Sequence, residues 1–221
     1  MRAPEDAAVV LCEGLAQLEI MPAERAQDLL EKYIAEVERW NPRFGLVKYD
    51  GRQELIVKHV LDSLSAWRAL REAASGSGSI LDVGSGAGFP GIPLAIALPD
   101  IAFTLLERMA RRAAFLETCA ILLGLSKVKV TQSDLAEMNG EFDVVTCRAV
   151  APLARLLEDL GHSAIRWRMI AAYKGRHERA QEEIDEVERL MPGRFHAELR
   201  PLRTPFLDEQ RCLAVLALVD K

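Results

Sequence analysis

The sequence predicts an α/β fold: a mostly parallel sheet with helices on both faces, preceded by a helical extension. Three observations predict it. Seven short apolar runs follow residue 78, "SILDV", "AFTLLE", "VKVTQ", "FDVVTC", "MIAAY", "FHAEL" and "CLAVLALV", most of them separated by helical stretches. The last two lie only about ten residues apart with no helix between them, so they are expected to pair antiparallel. Upstream of residue 71 the apolar residues recur at three and four positions, and nothing reads as a confident strand.

Taken in order, residues 1–70 are expected to form the helical extension and residues 71–221 the sheet domain. Met21 to Trp40 reads as helix, with Pro22 suited to a first turn and Leu29, Leu30, Tyr33, Val37 and Trp40 on one face. "NPRFG" then breaks it. A second helix runs from about Glu54 to Leu70 and carries Val57, Val60, Leu61, Leu64 and Trp67. "REAASGSGS" at 71–79 is a small, flexible connector. The helix after Glu107 is expected to stop at Gly124 as its cap, and "HERAQEEIDEVERLMPG" is a further helix ended by Pro192-Gly193.

Composition bounds the function. Half of the 221 residues are hydrophobic, enough for a sizeable core. A net charge of −5, from 28 basic and 33 acidic residues, argues against gripping nucleic acid over the whole surface while leaving local basic patches open. Cys12, Cys119, Cys147 and Cys212 form no CxxC pair, which speaks against a zinc site or a disulfide framework and for a reducing compartment. Charges interrupt every apolar run well short of the ~18 residues of a membrane span. The start, with Glu5 and Asp6 before a short apolar stretch, does not read as a secretory signal. A soluble, cytoplasmic protein is expected.

The chemistry starts at "ILDVGSGAGFPGIPLAI", residues 80–96. In an open parallel sheet ligands sit beyond the carboxyl ends of the strands, and this loop follows the first strand. Gly84, Gly86 and Gly88 let the backbone turn sharply and approach a ligand closely. No Gly-Lys-Ser/Thr follows, so it is not a P-loop. Asp82 stands two residues before the first glycine, where a carboxylate repels a pyrophosphate and attracts an amino-acid ammonium, directly or through water. Glu107, ending the second strand, can accept from both hydroxyls of a ribose. In "TQSDLAEM" Asp134 suits an adenine amine, with Leu135 and Ala136 offering backbone contacts; a solvated loop acid is the plainer reading of Asp134. S-adenosylmethionine has an ammonium, a ribose and an adenine but no phosphate, and fits better than NAD, which shares the Glu107 contact.

The flanking residues narrow this further. "WNPRFGL" at 40–46, "HVLDS" at 59–63, "DVGSGAGFPGIPLAI" at 82–96, "FTLLE" at 103–107, "RRAAFL" at 111–116, "CRAVAPL" at 147–153 and "AAYKG" at 171–175 occur in order. Together they resemble the small-subunit ribosomal RNA guanine-N7 methyltransferase family, also called glucose-inhibited division protein B, from about Leu29 onward. The resemblance implies a class I AdoMet-dependent methyltransferase: a Rossmann-like, mostly parallel seven-stranded sheet with an antiparallel last strand. It also implies methylation of a guanine N7 in 16S rRNA, as free RNA or in an assembling subunit, by a chain taken to be monomeric. Phe89 and Arg148 join the cofactor contacts on the same ground, Lys174 becomes a substrate-side residue, and His59, with Asp62 and Ser63, forms a lid or substrate wall. This sequence departs from the family's usual Asn at Gly45 and Ser at Cys147.

Guanine N7 carries a lone pair and no proton at neutral pH, so no general base is required and proximity and orientation suffice. That accords with the absence of a Ser/His/Asp or paired-carboxylate constellation. "TCRAVAPL" replaces the Asp/Asn-Pro-Pro-Tyr/Phe turn common in exocyclic-amine methylation, and Cys147 lacks the preceding Pro expected of a carbon-5 pyrimidine nucleophile. Arg148 can alternatively hold a phosphate or guanine O6, and His59 can simply pair with Asp62 to brace its helix. Arg166, Arg168, Lys174, Arg176 and Arg179, with Arg108, Arg111 and Arg112, make a phosphate-contacting rim if they converge at the strand ends. Three rival readings stay open: a small-molecule methyltransferase with a helical lid, a NAD-dependent dehydrogenase, and a non-catalytic AdoMet sensor.

Overall fold

The structure is a computed structural model that describes residue 4, residues 6–74 and residues 78–219. Seven strands form one sheet: β1 (Ser79–Val83), β2 (Ala102–Leu106), β3 (Val128–Thr131), β4 (Asn139–Arg148), β5 (Ala164–Lys174), β6 (Phe195–Leu202) and β7 (Arg211–Leu218). Their order is β3-β2-β1-β4-β5-β7-β6. β1 to β5 are parallel, and β7 runs antiparallel between β5 and β6. The antiparallel pairing of the last two runs is as the short connection requires. Strand order reverses between β1 and β4, which opens a crevice at their carboxyl ends. There Val83 lies opposite Cys147 and Arg148 opposite Tyr173, so Gly84, just beyond β1, and Arg148 and Lys174, ending β4 and β5, lie along one edge.

Four helices connect the strands: α6 (Gly91–Ala97), α7 (Ala110–Leu122), α8 (Leu153–His162) and α9 (His177–Leu190). α7 stops where expected, with Gly124 at φ 63° just beyond it. Only a 3₁₀ turn, Leu135–Glu137, joins β3 to β4.

The extension contains more helix than its sequence announced. α1 (Ala7–Gln17) is capped by Asp6, whose carboxylate accepts from Ala8 N at 2.8 Å. α2 spans Ala23–Phe44, so "NPRFG" does not break it at Asn41. Pro42 sits in its last turns, and the stop is Gly45, left-handed at φ 56°, whose N–H reaches Asn41 O. Asn tolerates that conformation nearly as well, which accounts for either residue there. The expected 54–70 helix is segmented into α3 (Gly51–Leu55), a π-helical stretch (Ile56–Leu61), α4 (Asp62–Leu64) and α5 (Trp67–Ala73). Ser65 Oγ donates to Asp62 O at 2.7 Å at the break before α5. The connector begins later than expected, because α5 runs to Ala73; residues 75–77 and Glu5 lie outside the described residues.

One buried cluster joins the extension to the sheet domain. Leu30, Tyr33, Ile34 and Val37 of α2 share it with Phe89, Ile92, Phe103, Phe115 and Leu116. A second cluster lies on the other face of the sheet, where α8 and α9 bring Leu153, Leu156, Leu157, Ile184 and Val187. Among the described residues no helix is long and apolar enough to cross a membrane, and no His/Cys/Asp/Glu group has metal-binding form.

Candidate active site

The glycine loop is held from several sides. Glu107 is buried, and its two oxygens accept from Gly86 N (3.0 Å) and Met109 N (2.8 Å), each keeping a lone pair for a further donor. Gly84, at φ 68°, has no room for a side chain: a Cβ there would stand 2.8 Å from Val150 Cγ2. Asp82 is fully buried, deeper than the strand-exit position the sequence suggested. Its Oδ2 accepts from Gly91 N at 3.1 Å, whereas Oδ1 is buried without a partner among the described residues. Burial pushes its carboxyl up to about 7, opposed by Ser85, by the Gly91 hydrogen bond and by Arg148. An unpaired buried carboxylate oxygen is costly, and an ammonium is the kind of donor that relieves it. The buried acid, the glycines and the Glu107 lone pairs therefore fit S-adenosylmethionine. Asp134, Leu135 and Ala136 lie beyond β3, Asp134 and Ala136 exposed and Leu135 half-buried.

Arg148, at the end of β4, is the junction between sheet and extension. Its Nη1 donates to Asp62 Oδ2 and to Lys58 O, both at 3.1 Å, and its Nη2 lies 2.7 Å from His59 Nδ1. The guanidinium also sits 5.2 Å from the centre of the Phe89 ring. Three of its five N–H groups are thereby engaged. Asp62 does not pair with His59, as the plainer reading had it. It is buried and takes Arg211 Nε (3.1 Å) and Thr204 Oγ1 (3.2 Å) on its other oxygen. His59 is neutral: burial, then Arg148, lowers it to about 4. Its Nδ1 accepts from Arg148 and its Nε2 faces Lys48 O at 3.1 Å, so both nitrogens are occupied. That makes His59 a brace for Arg148 and a poor proton carrier. Ser63 offers its backbone carbonyl to Tyr173 Oη at 2.5 Å.

Lys174, ending β5, pairs with Glu183 of α9 at 2.7 Å, and Glu183 also accepts from Leu153 N. A cleft of about 1330 Å³ opens beside the glycine loop, over the carboxyl ends of β4 and β5. His59, Arg148 and Lys174 line it, with Lys48, Lys58, Arg176 and Arg179 around them. Val150 touches both the cleft and Gly84, so it forms the wall between cradle and cleft. The expected basic rim is corrected in part. Arg166 and Arg168 sit at the opposite end of β5 and pair with Glu141 and Asp143. The eight steps from Arg166 to Lys174 cover roughly 26 Å at strand rise. Cys147 is buried and its thiol is pushed up to about 12, which removes it as a nucleophile.

Arg211, Thr204 and Glu183 escaped the sequence reading. Their partners lie 149, 142 and 9 residues away, and no local pattern links Asp62 to the first two.

Comparison with known proteins decides the identity. The family described as GidB, rRNA small subunit methyltransferase G, matches residues 26–210. The chain belongs to this family. As a member it is a methyltransferase of small-subunit rRNA, with S-adenosylmethionine as methyl donor. It is 34% identical over 214 residues to the ribosomal RNA small subunit methyltransferase G of Cupriavidus pinatubonensis, covering 92% of this chain and 91% of that protein. The Treponema pallidum protein of the same name is 36% identical over 218 residues, covering 94% and 92%. Among solved structures, the METTL16 methyltransferase domain superposes with a TM-score of 0.61 at 16% identity, covering 86% and 97%. A human methyltransferase 10 domain containing protein gives 0.60 at 14%, covering 88% and 98%. At such identities these two report the fold alone.

The titration of Asp82 gives the rRNA methyltransferase a testable pH dependence. Only the ionised carboxylate attracts an ammonium, and with its carboxyl at about 7 it is mostly neutral at pH 6 and mostly ionised at pH 8. The AdoMet dissociation constant is expected to fall about tenfold between those pH values. The stability sign is opposite. A raised carboxyl stabilises the free protein most below its unfolded value of 3.8, and that contribution is lost as pH rises through about 7. Isothermal titration of wild type and Asp82→Asn across this range checks the binding claim; the variant should lose the dependence.

Proposed function

We propose that this methyltransferase places its methyl group on N7 of a guanine, in free rRNA or in an assembling small subunit, and that it works in the cytoplasm as a monomer. The observation that carries the reading is the arrangement along one sheet edge. A carboxylate–glycine cradle and a cleft lined by Arg148 and Lys174 meet at the switch point between β1 and β4, separated by Val150.

The cofactor supplies an electrophilic methyl group when bound. Asp82, Gly84, Gly86, Gly88 and Glu107 would hold its amino-acid and ribose parts, and Asp134, Leu135 and Ala136 its adenine. Phe89 acts from behind the loop, as the ring under Arg148. N7 has no proton to remove, so the chain's residues need only hold and orient the base and exclude water. His59, with both nitrogens engaged, is consistent with that demand. Methylation leaves the base cationic. The two cations at the strand ends are each paired with a carboxylate, Arg148 with Asp62 and Lys174 with Glu183, so their N–H groups meet the base edge with less repulsion than unpaired charges would.

Lys174→Ala is expected to lower methyl transfer to rRNA by 10- to 100-fold while changing AdoMet affinity less than twofold, since among the described residues Lys174 Nζ hydrogen-bonds Glu183 and Ala151 and no residue of the glycine loop. Single-turnover rates alongside titration calorimetry separate the two effects. The reading as a whole is tested by offering labelled AdoMet with purified small subunits, with free 16S rRNA and with a metabolite extract. Label entering rRNA supports it, and label confined to the small-molecule fraction overturns it.

A further inference from the structure

The helical extension reaches into the cofactor loop. Tyr33 is fully buried on α2, and its hydroxyl donates to the backbone carbonyl of Ala87 at 2.5 Å. Ala87 lies between Gly86 and Gly88, at the tip of the glycine turn. The other bonds fixing this turn among the described residues come from the sheet domain, among them Ser85 N to Leu106 O, Ser85 Oγ to Asp82 O, Gly86 N to Glu107, Gly88 N to Ser85 O, and Gly91 N to Asp82. Gly88 is at φ 95°, and a Cβ there would stand 2.9 Å from Tyr33 Oη, so the missing side chain admits the hydroxyl. The Tyr33 ring meets Phe89 edge-on at 5.5 Å, and Phe89 in turn lies under Arg148 and beside His59.

We propose that Tyr33 is a positioning residue for the cofactor: α2 sets the conformation of the S-adenosylmethionine loop through the Tyr33–Ala87 hydrogen bond. The inference rests on the reading of this loop as the AdoMet cradle. Ala87 is buried, so without the hydroxyl its carbonyl loses the partner that holds it and the turn is free to shift. The N-terminal helices are thus part of the cofactor site as well as a cover for the sheet.

The test compares Tyr33→Phe with Val37→Ala. Tyr33→Phe removes one oxygen and keeps the ring. Val37→Ala loosens the same buried helix face one turn further along α2 and removes no polar atom. AdoMet affinity by titration calorimetry, the KM for rRNA at saturating AdoMet, and thermal midpoints without ligand are measured for both and for the wild type. The expected result is a five- to tenfold weaker AdoMet affinity for Tyr33→Phe with an unchanged KM for rRNA, and wild-type AdoMet affinity for Val37→Ala. Wild-type AdoMet affinity in Tyr33→Phe overturns the proposal and leaves the cradle reading intact. Equal weakening in both variants overturns it too, because general loosening of α2 then suffices. Failure of the wild type to bind AdoMet overturns the cradle reading, and with it this inference.

Discussion

Asp82→Ala is expected to weaken AdoMet binding by at least about 100-fold, equivalent to ~2.7 kcal/mol. Two losses add. The ammonium loses a charged acceptor, worth roughly 1.5–3 kcal/mol when desolvated. Gly91 N–H also loses its partner at the start of α6, which loosens the end of the glycine loop. The fold should survive, because the change also removes a fully buried carboxylate with one unsatisfied oxygen. Asp82→Asn isolates the charge, since the amide oxygen can still accept from Gly91. An affinity close to that of the alanine variant assigns the effect to charge; near-wild-type affinity in Asp82→Asn contradicts the ammonium role.

Arg148→Ala is expected to damage stability and turnover together. Breaking a buried ion pair costs about 3–5 kcal/mol, and the lower end applies here because Arg211 and Thr204 continue to satisfy the other oxygen of Asp62. At this chain length about 3 kcal/mol corresponds to a fall of roughly 6–12 °C in thermal midpoint. The same change strips His59 Nδ1 of its donor, frees the Lys58 carbonyl and removes the cation over Phe89. Methyl transfer should fall at least about 100-fold even below the new midpoint. Calorimetry and initial rates at 20 °C check both parts. An unchanged midpoint would mean that the junction carries no stability.

Much of this architecture is legible in the sequence because it is local. The strand–glycine-loop–helix unit, the acid just past β2 and the antiparallel β6–β7 pair are each specified within continuous stretches of two dozen residues or fewer. What is not legible is long-range or directional. α1 is a short apolar stretch whose only start signal is Asp6. The π-helical stretch hides because Val57, Val60, Leu61 and Leu64 satisfy an ordinary helical stripe equally well. Asp62 as a shared partner of Arg148 and Arg211 depends on β4 and β7 converging on α4, which no spacing encodes. The opposite error befell Arg166 and Arg168. They are close to Lys174 in sequence but at the far end of a long strand, because a strand separates neighbours faster than a helix does.

The chemistry rests on a target atom with no proton to remove, and the identity of the methylated atom tests that most directly. Small-subunit rRNA labelled by the enzyme from methyl-labelled AdoMet would be digested to nucleosides and separated. The account predicts all of the label in 7-methylguanosine. Label on an exocyclic amine or on a pyrimidine carbon would contradict it, because either demands a base or nucleophile that His59 and Cys147, as placed here, do not provide.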